Sequence, residues 1–135
     1  MSGILIGLAV AIGLGFTVMV IRSTPANPVR FAGAIARQQR LALKTLQRAN
    51  PGLGKREGWL KALETRPLFQ EHELHQLLED VSKAARARGA PLTFGDLVAE
   101  LAILEYSRRV PTAKQAQDKF PEMRAAVQAA IPEDI

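Results

Sequence analysis

The chain has 135 residues, a net charge of +5, 47% hydrophobic residues and no cysteine, which bounds it to one small domain with accessory segments. Without cysteine there are no disulfides, no thiolate metal sites and no cysteine nucleophile. Eight basic side chains and no acidic one precede Glu57, while ten basic and thirteen acidic ones lie from Glu57 onward, so the excess flanks an apolar stretch and argues for a lipid or topology role over nucleic acid.

Residues 4–21, ILIGLAVAIGLGFTVMVI, carry no charge. As a helix they would rise about 27 Å, close to the roughly 30 Å hydrocarbon thickness of a bilayer. A secretion signal would place basic residues before such a run and a small-x-small site after it. Here none precedes, Arg22 follows directly, and Thr24-Pro25-Ala26 has a proline in the middle of the site. The expectation is an uncleaved, single-pass transmembrane anchor over residues 1–22. Arg22 and every other basic residue follow it, so the positive-inside bias predicts the N-terminus outside and the C-terminal body in the cytoplasm. Gly3, Gly7, Ala11 and Gly15 recur every four residues. Small residues in that phase let a second backbone approach, predicting contact with a membrane protein partner or with another copy as a homo-oligomer.

Residues 23–28, STPANP, break the helix. Asn27 followed by Pro28 is an N-cap and first-turn pair, predicting a helix to Ala49 that ends at Asn50-Pro51-Gly52. At about 100° per residue, Phe31, Ile35, Ala42 and Leu46 share one side, extended by Ala32, Ala36 and Leu43. Arg30, Arg37, Arg40, Lys44 and Arg48 gather on the opposite side. The apolar face is expected to pack on the downstream domain, leaving the basic face for anionic lipid or an acidic partner. A solvated charged face without a ligand is the plain alternative. Residues 23–56 thus read as a basic juxtamembrane linker and amphipathic helix.

Residues 50–58, NPGLGKREG, form a loop. Gly54-Lys55 imitates a phosphate loop, but Ala49 stands where the first glycine belongs and Arg56 where Ser or Thr belongs, so no nucleotide site follows. A short helix is predicted around Trp59–Thr65, halted before Pro67. A longer one over about Leu68–Arg88 carries Leu74, Leu77, Leu78, Val81 and Ala85, and stops at Gly89-Ala90-Pro91. Thr93 and Asp96 resemble a capping box for a helix to about Arg109, with Phe94, Leu97, Val98, Leu101 and Leu104 as its stripe. Thr112 and Gln115 suggest a second box and a helix to Phe120, and Pro121 opens a last helix ending before Pro132. No segment alternates with the period of a strand. The fold class is therefore all-α: an N-terminal transmembrane helix, a basic amphipathic helix, and a small helical cytoplasmic domain over residues 57–135, with Trp59, Phe69, Phe94 and Phe120 in its core.

Both histidines lie in Glu71-His72-Glu73-Leu74-His75. A zinc-protease helix needs them four apart, and here they are three apart, on a face pointing away from the Leu74/Val81 stripe. Surface histidines are the plain reading, and a metal-dependent enzyme on the His72/His75 face is the alternative. Glu100 and Glu105 are expected to pair with Arg108 or Arg109 across their helix. Ser82 and Ser107 have no activating partner in sequence. Thr112–Ala130 imitates a helix-turn-helix, but five acidic and five basic residues over positions 92–131 leave no phosphate footprint. The expectation is a non-enzymatic accessory, scaffold or adaptor protein that uses no cofactor, metal or small-molecule substrate. It would act by helix packing in the bilayer and by protein contacts of its helical domain. A membrane-tethered nucleic-acid binder using Arg37, Arg40, Lys44 and Arg48 is its rival.

Overall fold

The computed structural model describes residues 27–132, which form five α-helices and one 3-10 segment, with no strand among the described residues. Helix α1 spans Pro28–Ala49. The Asn27 side chain accepts from the Val29 and Arg30 N–H groups, at 3.1 Å each, satisfying two of the donors a helix start leaves open. Helix α2 spans Lys55–Leu63, beginning four residues ahead of its expected start because Gly54 serves as N-cap. Pro67 lacks an N–H and disfavours helical geometry at Arg66, so the chain leaves α2 in a tight turn. That turn is held by bonds from the Thr65 N–H to the Ala62 carbonyl at 3.2 Å and from the Arg66 N–H to the Leu63 carbonyl at 3.0 Å.

Helix α3 spans Glu71–Arg88 and stops at Gly89, whose φ of 69° is left-handed and suits a residue without Cβ. Helix α4 spans Phe94–Arg109. Its expected capping box is present: Thr93 Oγ1 accepts from the Asp96 N–H at 3.0 Å, and Asp96 Oδ2 from the Thr93 N–H at 3.1 Å. The second expected box is not. Residues Ala113–Lys119 wind as a 3-10 helix, and the Thr112 side chain caps nothing. Pro121 cannot return an N–H to the Gln117 carbonyl, so the Phe120 N–H takes it one residue early, in the tighter 3-10 pattern. Helix α5 spans Phe120–Ala130.

The core is common to all five helices. Helix α1 packs against α5, α4 and α2, and buries Phe31, Ala32, Ile35, Ala36 and Leu43 there. Its apolar face is therefore turned inward, as expected. Helix α4 lies at the centre and buries most of its surface, including Phe94, Leu97, Leu101, Ile103 and Tyr106. Phe31 meets Tyr106 edge-on at 5.6 Å, and Trp59 lies 6.2 Å from Phe94, so two aromatic pairs join α1 and α2 to α4. Trp59, Phe69 and Phe94 are buried as expected, while Phe120 is half-buried at the bundle edge.

The single-pass membrane expectation is corrected. Among the described residues no helix is long and apolar enough to cross a membrane. Helix α1, the longest, carries five cations and has its apolar face occupied by the core. The N-terminus-out orientation with a cytoplasmic body has no support among the described residues either. Residues 1–22, with the Gly3, Gly7, Ala11 and Gly15 face assigned to them, lie outside the described residues.

Candidate functional site

Helices α3 and α5 both flank α4 and leave an open groove of about 710 Å³ over its surface. Its apolar lining comes from Leu77, Val81 and Ala84 on α3 and from Ala99, Ile103 and Leu104 on α4. Leu104 is 38% exposed, so the groove floor has an apolar side chain open to solvent. The rim is polar, and two of its three carboxylates are ion-paired, Asp80 being the exception. Arg88 on α3 lies 3.7 Å from Asp96, Gln128 on α5 donates to Asp96 at 2.8 Å, and Arg124 donates to Glu100 at 2.7 Å. These bridges set the spacing of the two groove walls across α4. The Gln128 side chain reaches over Gly95, where a Cβ would lie 2.5 Å from its Oε1 and displace the end of that side chain.

A second surface is the outer face of α1. Arg30, Arg37 and Arg48 are exposed and Lys44 is half-buried, and none has a carboxylate within ion-pairing distance among the described residues. Arg40 differs from the others of its stripe. It is half-buried and donates to the Ala130 carbonyl at 3.4 Å, neutralising the C-terminal end of α5. Arg30 and Arg37 also edge a shallow cleft of about 530 Å³ floored by Gly33, Ala126 and Ala129.

No protein-family model, curated protein or solved structure matches this chain.

The histidines are on the surface. His72 and His75 are both exposed, and His75 lies 3.8 Å from Glu71 on the same helix. Among the described residues there is no group of three or more His, Asp or Glu side chains placed to hold a metal ion. The carboxylate pairing within α4 is half as expected. Glu105 does lie 3.4 Å from Arg109, but Glu100 pairs with Arg124 and Arg108 with Glu73.

Glu105 also faces the core, which its sequence neighbours did not reveal. Its carboxylate receives Arg66 Nε at 3.1 Å and Arg66 Nη2 at 2.6 Å, with both side chains at most 2% exposed. Arg66 Nη1 donates to Gln38 at 2.6 Å, and Gln39 on α1 donates to Thr65 at 3.3 Å. The forked geometry suits a planar guanidinium and a carboxylate, and it locks the α2–α3 turn to α1 and α4. The Arg66–Glu105 pair at the centre of this network is closed away from solvent and lies outside the groove lining, so it is a fold-specifying contact. A signal for it existed in the sequence: a helix apolar on nearly every side is buried, so its single inward acid requires a buried cation.

Proposed function

We propose that this chain is a non-enzymatic helical adaptor that holds an amphipathic helix of a protein partner in the groove between α3 and α5. The observation that carries the reading is the apolar floor, open to solvent at Leu104 with Leu77 half-buried beside it, between rims that pair Asp96 and Glu100 and leave Asp80 without a cation. Such a groove selects by apolar fit, with anchors spaced three to four residues apart on the incoming helix. Helix α3 has 18 residues and so a length of about 27 Å, which matches a partner helix of about five turns.

The test is selection from a displayed library of helical peptides on the full chain. Enriched peptides are expected to share apolar residues at three- and four-residue spacing. They should lose at least tenfold in affinity against Leu104→Glu, which places a charge on the groove floor. Selection of no common pattern, or of peptides indifferent to Leu104→Glu, would contradict the adaptor reading.

A further inference from the structure

The outer face of α1 carries one more feature, which the basic stripe obscures. Leu41 is 51% exposed, more than the groove's Leu104. At about 100° per residue, Leu41 falls within roughly 20° of Arg30 and Arg48 and within about 60° of Arg37 and Lys44. A bare leucine therefore stands in the middle of four cations, spread over about 27 Å of helix. The contrast with the rest of the molecule is sharp: eight cations downstream of α1 have a carboxylate within 4.0 Å, from Lys61 to Arg124. Ion pairing thus takes up eight of the twelve described cations downstream of α1, all but Lys55, Arg56, Arg86 and Lys114, and none of the four on this face.

From this juxtaposition we infer that the outer face of α1 is a second docking surface, whose occupant is an acidic amphipathic helix of a partner protein. Arg30, Arg37 and Lys44 follow one another at seven-residue intervals. A partner helix displaying Asp or Glu at the same interval meets all three, as charged flanks do across a two-helix seam. An apolar residue between those acids covers Leu41. A shallow cleft lined by Gly33 and Ala126 runs between Arg30 and Arg37. Duplex DNA fits less well. It presents about one negative charge per 1.7 Å of axis, far denser than this row of cations, and it offers Leu41 nothing. The cations give the encounter its speed and orientation, and the leucine gives it retention.

The test uses the full chain and a synthetic 22-residue helical peptide with Glu every seven residues and Leu between them, followed by fluorescence anisotropy. Replacing every Glu of the peptide by Gln should weaken binding at least tenfold. Arg37→Glu with Lys44→Glu in the protein should do the same, and the Glu peptide should bind more weakly at 200 than at 50 mM salt, about tenfold. Leu41→Gln, which keeps every charge, should weaken the peptide about tenfold while leaving the unfolding midpoint unchanged. Leu104→Glu should leave this affinity untouched, which separates this surface from the groove. Equal binding of the Glu and Gln peptides, or indifference to Leu41→Gln, would overturn the inference. A 20-base-pair duplex that outcompetes the peptide and ignores Leu41→Gln would assign the face to nucleic acid instead.

Discussion

The Arg66–Glu105 pair shows how much one buried charge can depend on its partner. Glu105→Gln keeps the shape and removes the counter-charge, leaving a guanidinium in a site closed to water. Breaking a buried pair from one side typically costs about 3–5 kcal/mol, so the urea midpoint of Glu105→Gln should fall by that equivalent. The double replacement Arg66→Met with Glu105→Leu should recover most of the loss, because it removes both desolvation penalties together. A single variant as stable as the parent would show that the pair is not buried as described. Glu73 provides the pH-dependent counterpart. A hydrogen bond from Arg108, and a second from the Gln70 N–H, hold its carboxyl below the ordinary value of 4.5. Arg108 also stacks on Phe69, 4.9 Å from the ring centre, which fixes it in place. A lowered folded-state pKa gives stability that is present in full above the ordinary value and lost as pH falls through the lowered one. The stability difference between the parent and Glu73→Gln should therefore be constant above about pH 5.5 and shrink on further acidification, as read by denaturation at stepped pH.

At the scale of elements, the helices differ in how firmly they are held. Helix α4 buries ten of its residues, whereas α3 buries Leu74, Val81 and Ala85 and packs mainly on α4. Amide hydrogen exchange should accordingly find α3 opening at a lower free energy than α1 or α4, with its exposed solvent-side amides exchanging first. Uniform protection across the five helices would contradict this. Such looseness suits the wall of a groove that admits a partner. The helix boundaries were largely legible in sequence where a local signal set them, at Asn27-Pro28, Thr93 with Asp96, and Gly89. They were less legible at Ala113–Lys119, where Thr112 supplies no side-chain cap and the segment winds as a 3-10 helix up to Pro121. The basic stripe of α1 was legible from periodicity. The diversion of Arg40 to the Ala130 carbonyl was not, because it depends on where α5 ends in space.

At the scale of the molecule, α1 is the organising element and not an appendage. Its inner face completes the core with α2, α4 and α5, and its outer face is left cationic with Leu41 exposed. The groove could not be read from sequence, since Leu77 and Leu104 look like ordinary stripe residues until α3 and α5 are placed on either side of α4. Leu104 was expected inside and stands at the groove, because α4 already buries the opposite sides of its surface. The adaptor account therefore depends on that groove more than on any other feature. The measurement that tests it most directly is a methyl-resolved NMR titration of the full chain with a groove-selected helical peptide. The account predicts that shifts concentrate at Leu77, Val81, Ile103 and Leu104 and leave Phe31-adjacent Ile35 and Leu43 in place. Shifts confined to α1, or none in α3 and α4 at saturating peptide, would contradict it.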